Sequence, residues 1–198
     1  IDVDRDGVLG VNPQQGLTAP PGAYPPGTLS TDPDDSILAA EVRAADALVG
    51  SLASNGRTRV GVLSFSGEMN PQTGHRVRDD QQDAWLEVPL TADFGAVRAR
   101  LPEILRRGPN GGTNFAAGIR LAITELAGLS GARSSARPDA KKLVLFLTDG
   151  LPTFPIGLGS TSDPGDVEAA LAAANVAHRA GIAINTYGLG PSALTNPF

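Results

Sequence analysis

Residues Lys141 to Gly150 read KKLVLFLTDG: two lysines, an unbroken apolar run, then a hydroxyl, a carboxylate and a glycine. A short apolar run without alternation is the pattern of a strand covered on both faces, as in a parallel sheet. Asp149 then falls at the strand's carboxyl end, the edge of an open α/β sheet where ligands collect. Gly150 allows a tight turn, and Pro152 prevents the strand from continuing. A strand followed by a plain turn, with Asp149 serving only the turn, is the competing reading of the same residues.

The chain has 198 residues, 41% of them hydrophobic and 19% charged, which suits one globular α/β domain rather than a disordered segment. A net charge of −5 without a basic stripe argues against nucleic acid or an anionic membrane as partner. Arg98, Arg100, Arg106 and Arg107 read as a solvated helix face. The absence of cysteine removes disulfides, thiolate metal sites and thiol nucleophiles together. It does not fix the compartment; an extracellular or cell-envelope location is the expectation. No apolar run is long enough to span a bilayer.

Residues 1–35 form a separate stretch. Asp2, Asp4 and Asp6 alternate before Gly7, the first half of a calcium loop, with the Val8 carbonyl as the next ligand. Pro13 occupies the place of the closing glutamate, which excludes a complete EF-hand loop. A solvated acidic turn is the plainer alternative to a Ca²⁺ site. Asn12 to Pro33 is rich in proline and glycine and has no periodicity, so it reads as an insertion loop.

From there the elements follow in order. Asp32-Pro33 is a helix start, with an apolar stripe from Ile37 to Leu52. Thr58 to Ser66 is a strand, Gly67 to Asp83 a polar loop holding His75, and Ala84 to Leu90 a strand that Pro89 marks as an edge. Thr91 to Arg107 is helical and is expected to kink or split at Pro102. The glycine-rich loop Gly108 to Asn114 opens a helix from Phe115 to about Leu129, capped by Thr113 or Asn114. After the Lys141 strand, Asp163-Pro164 starts a helix running to about Ala180, with Val167, Leu171, Val176 and Ala177 facing inward. Ile182 to Leu189 is the last strand. This order implies a mainly parallel sheet sandwiched between helices.

The chain has no G-x-x-x-x-G-K-S/T, no G-x-S-x-G and no H-E-x-x-H, and neither His75 nor His178 has a neighbourhood that suits a serine triad. Two hard-oxygen donors remain at element edges, Thr113 beside its glycines and Asp149 after its strand. RVGVLSFSG, LRRGPNGGTNFAAGIRLAI, KKLVLFLTDGLPTFP and AHRAGIAINTYGLG together resemble a von Willebrand factor type A domain, over Ser36 to about Gly190. GGTN followed at the right distance by an apolar strand ending TDG is the specific part.

The resemblance implies an α/β, Rossmann-like three-layer sandwich, with a mainly parallel sheet and one antiparallel edge strand. It also implies a metal-ion-dependent adhesion site. There a threonine like Thr113 and an aspartate like Asp149 hold Mg²⁺ or Mn²⁺, and an acidic residue of a protein partner completes the shell. The family's D-x-S-x-S and first strand are not found before the first helix, and its last helix and strand are not found after Phe198. The domain over residues 36–198 is therefore expected to be partial, truncated at both ends, within a longer protein. Asp2 and Asp4 are poor substitutes for the missing motif, since almost no strand precedes them.

The expected function is a non-enzymatic, adhesion-type protein-binding module. The alternative is enzymatic: Asp4 to Leu9 is similar to motif I of the haloacid dehalogenase phosphohydrolases, with Asp4 as nucleophile, Asp6 as acid/base and Thr148 on phosphate. That motif follows a buried strand, and only Ile1 and Val3 are available for one. A scaffold with a vestigial metal site is the third reading.

Overall fold

The computed structural model of the chain describes residues 36–53, 56–108, 111–129, 135–159 and 161–189. Eight elements follow one another among them: α1 (Ile37–Leu52), β1 (Val60–Phe65), β2 (Ala84–Thr91), α2 (Phe94–Arg107), α3 (Phe115–Ala127), β3 (Lys142–Thr148), α4 (Pro164–Arg179) and β4 (Ile182–Gly188). They fall into two compact units. One contains α1 and α2, and the other contains the four strands with α3 and α4.

In the helical unit, α1 begins at Ile37, capped by the Ser36 hydroxyl, which accepts from the Ala39 N–H at 3.1 Å. The expected start at Asp32-Pro33 is thus corrected to Ser36, whose hydroxyl supplies the cap just ahead of the apolar stripe. α2 runs through Pro102 as one helix, so the expected split does not occur. The helices share an exposed ion pair. Arg98 donates to both Asp46 carboxylate oxygens, at 2.6 and 2.7 Å. This hydrogen bonding holds the Asp46 carboxyl below its ordinary 3.8, against the opposing effect of desolvation and with a smaller contribution from Arg98's charge. A depressed carboxyl adds stability that is fully present above the ordinary value and is lost as pH falls through the lowered one. Arg98→Ala is therefore expected to lower the melting temperature slightly at pH 7 and to match the parent chain in strong acid. Thermal melts across pH check this; a difference that grows in acid would contradict it. The pair is solvated, so the effect is small at any pH.

In the larger unit the strands make two ribbons. β1 pairs antiparallel with β2, and β3 pairs parallel with β4, in register from Lys142↔Ile182 to Thr148↔Gly188. Of the expected mainly parallel sheet, the described residues show one antiparallel and one parallel pair, with β1 bonded to β2 alone and β3 to β4 alone. Aromatic packing, not a hydrogen-bond ladder, links β1 to β3. Phe65 stacks on Phe146 with centroids 4.8 Å apart, and Phe115 of α3 meets both rings edge-on. Gly118 of α3 admits the Phe65 ring, which a Cβ there would meet at 3.0 Å. Ala116, Ile119, Ile123, Phe146, Ala173, Ala177 and Ile182 complete this core.

Two expectations about burial change. The cover of β3 is incomplete on one face, where Leu143 is 48% exposed while Leu145 and Leu147 are partly buried. Period-2 alternation turns Val144 and Phe146 toward the core and Leu143 away from it. On α4, Leu171 and Val176 face solvent, at 59% and 45% exposure, while Ala173 and Ala177 face the core. Alanines four residues apart allow the close approach of α3 to α4; side-chain size alone does not choose the buried face. Asp163 caps α4 in a capping box with Asp166, and Pro164 takes the first helical position, as the Asp-Pro reading required. Gly150 is not among the left-handed glycines, so the turn after β3 does not depend on it for that conformation.

Candidate metal centre at the strand carboxyl ends

Three loops of the larger unit gather at one rim: Ser66-Gly67 after β1, Gly111 to Asn114 before α3, and Asp149 to Phe154 after β3. Gly67 and Gly111 form an isolated parallel bridge, and the Gly112 N–H donates to the Gly67 carbonyl at 2.7 Å. The Asn114 N–H donates to the Ser66 carbonyl at 3.2 Å. Gly111 has φ +68°, and a Cβ built on it would overlap the Gly67 carbonyl, so no other residue fits.

Thr113 is tied to the third loop from both sides. Its N–H donates to the Thr153 hydroxyl at 2.8 Å. Its carbonyl accepts from the N–H groups of Thr153 and Phe154, at 2.9 and 3.1 Å. Thr113 and Asp149 therefore stand on loops that are bonded to each other. Thr113 is half-buried, and Asp149 is exposed directly after β3. Beneath them the Phe154 ring is fully buried against Gly67, Gly112 and Gly159. A Cβ on Gly112 would meet the ring at 2.6 Å.

Behind the first two loops lies a buried polar cluster that no sequence motif announced. Asp83, 3% exposed, accepts from the Asn114 amide at 2.7 Å and from the Gln81 amide at 2.6 Å. Arg76 pairs with it at 3.0 Å. The Asn114 side-chain oxygen accepts the Ala117 N–H at 3.0 Å and caps α3, so of the two expected caps Asn114 is the one used. The only signals in the sequence were a polar loop and an aspartate directly before an apolar strand.

Asp2, Asp4, Asp6 and Val8, the expected calcium turn, lie outside the described residues, as do the dehalogenase-type Asp4 and Asp6. Thr148, the phosphate binder of that alternative, is buried at the end of β3. His75 lies in a loop turn and His178 in the last turn of α4. Among the described residues no three His, Cys, Asp or Glu side chains gather to hold a metal. The two expected ligands bring one neutral hydroxyl and one carboxylate to a rim that also carries the Ser66 and Thr153 hydroxyls. That suits a Mg²⁺ ion that keeps most of its waters, because Mg²⁺ dehydrates reluctantly and commonly takes only one or two protein carboxylates.

A domain with helices packed on short strands, and with its loops collected at the strand carboxyl ends, is an α/β domain of Rossmann-like type. The sequence pattern of the von Willebrand factor type A domain matches residues 30–196, and the chain belongs to that family. Such domains commonly mediate protein–protein interaction. A solved structure described as conserved hypothetical protein BatB from Bacteroides thetaiotaomicron is similar at 22% identity and a TM-score of 0.42, over 74% of this chain and 55% of that one. The chain thus spans little more than half the length of that protein. No curated protein matches it.

Proposed function

We propose that this domain is a non-enzymatic protein-binding module of adhesion type, whose rim holds a divalent cation and engages an acidic residue of a partner protein. Thr113 and Asp149 would hold the ion, Mg²⁺ or Mn²⁺, which would supply a positive charge that a partner carboxylate can approach. One observation supports the reading: the loops that carry the two oxygen donors, Gly111–Asn114 and Asp149–Phe154, are hydrogen-bonded to each other. A hydroxyl adds no charge, so one carboxylate leaves a divalent ion under-compensated and still attractive to an external anion. The amino end of α3 opens at the same rim and also favours an anionic group.

We also read the two ribbons as parts of one sheet. A parallel strand lying between β1 and β3 would give both a second bonding partner and restore the mainly parallel arrangement. Among the described residues no helix is long and apolar enough to cross a membrane.

Titration calorimetry of the full chain with Mg²⁺ and with Mn²⁺ tests the cation site. Thr113→Ala and Asp149→Ala are each expected to weaken binding by about tenfold or more, equivalent to about 1.4 kcal/mol. Unchanged affinity in both variants would remove the cation from the mechanism.

A further inference from the structure

The structure assigns Asp83 as a positioning residue for the rim: a buried carboxylate that orients Asn114 and, through it, the neighbouring Thr113. This inference rests on the cation reading above and extends it to a residue that does not touch the ion.

Asn114 is held at three points. Its N–H donates to the Ser66 carbonyl, its side-chain oxygen accepts from the Ala117 N–H, and its side-chain N–H donates to Asp83 at 2.7 Å. A carboxylate accepts and cannot donate, so Asp83 forces the Asn114 amide to turn its NH₂ inward and its oxygen toward the helix. The Ala117 N–H, a donor, demands the same orientation from the helix side, so the two partners hold the amide together. The Asp83 carbonyl also accepts from the Ser66 N–H at 2.9 Å, so the same residue fixes the Ser66-Gly67 loop on which Gly112 is hung.

Asp83 is itself over-determined. Gln81 donates to its other oxygen at 2.6 Å, and the Arg76 guanidinium lies 3.0 Å away. Arg76 also donates to the Asp79 and Gln81 carbonyls, at 2.9 and 3.2 Å. Gln81 accepts from the Val77 and Arg78 N–H groups and donates to the Glu68 carbonyl. A buried ion pair gains little stability over apolar packing of the same volume. What it supplies here is a single orientation for the residue beside the proposed ligand. Partners of this kind behind a metal ligand commonly govern affinity.

The test uses the full chain, with Mn²⁺ followed by calorimetry and by the loss of its free-ion electron paramagnetic resonance signal. Asp83→Asn is expected to weaken Mn²⁺ binding about tenfold. Glu125→Gln is the control. Glu125 is another buried acid, bonded to the Leu90 N–H of β2 and not to the rim; glutamine keeps that acceptor, and the change should leave the affinity unmoved. The exchange Asp83→Asn with Asn114→Asp reverses donor and acceptor and keeps a good helix cap. It should restore binding to within about threefold of the parent chain. If Asp83→Asn does not fold, the exchange alone decides: retained affinity supports the assignment and lost affinity overturns it. Parent-level affinity in Asp83→Asn, or an equal loss in Glu125→Gln, overturns the positioning role while leaving the cation site standing. No Mn²⁺ binding by the parent chain overturns both.

Discussion

Replacing Asp166 with alanine is expected to destabilise the larger unit by about 3–5 kcal/mol. The side chain is fully buried, yet it is surrounded by donors. It accepts from the Ile156 N–H at 2.7 Å, from the Gly157 N–H at 3.1 Å and from the Asp163 N–H at 3.0 Å. Alanine would leave all three part-buried amides without that acceptor, and an orphan N–H costs about 1–3 kcal/mol where water cannot replace the carboxylate. Asp163, the other half of the capping box, is exposed, and water can take over its role. Asp163→Ala should therefore cost only about 1 kcal/mol. Urea denaturation reads the difference as a shift in midpoint at constant slope. Equal midpoints for the two variants would show that Asp166 is an ordinary capping residue. The rim is affected too, because Asp166 ties down the loop that leads away from Phe154.

That pair also shows how far the sequence could be read. Asp163-Pro164 marked the start of α4, because capping is a local event among neighbouring residues. Which acid of the box lies under the preceding loop depends on where Ile156 and Gly157 return in space, and no local pattern encodes that. The same division holds elsewhere. The end of β3, the exposed Asp149 and the glycine loop before α3 were legible from apolar runs and glycines. The close approach of Gly111 to Gly67 follows from residues far apart in sequence, although the double glycine hinted at it. Leu171 and Val176 are apolar yet exposed, because α4 packs through its alanines, and apolar character alone does not reveal the buried face. Leu143 misled because an unbroken apolar run does not reveal whether a second layer covers it. Asp83 was invisible as a site residue, since an aspartate at the end of a polar loop is ordinarily solvated.

Phe154→Ala is expected to cost about 3–5 kcal/mol and to weaken divalent-ion binding at the rim. The ring is fully buried and touches all three loops' supports: Gly67 from the first, Gly112 from the second and Gly159 beyond its own. Its removal opens a cavity that backbone held by hydrogen bonds cannot readily close. The carbonyl of Thr113, bonded to the Phe154 N–H, would lose its fixed partner position as the loop relaxes. A double-mutant cycle separates this account from generic core damage. Gly67→Ala alone should be severely destabilising, because the new methyl would overlap the Phe154 ring. Beyond that ring its nearest neighbour is the Asp83 carboxylate at 3.4 Å, an ordinary contact. In the Phe154→Ala background the same methyl should fit into the vacated space. The two costs should then fall short of adding by about 1–3 kcal/mol, the range seen for residues in direct contact. Chemical denaturation of the four proteins measures this coupling. Simple additivity would mean that Phe154 does not fill the space against Gly67, and the rim would need another explanation for its shape.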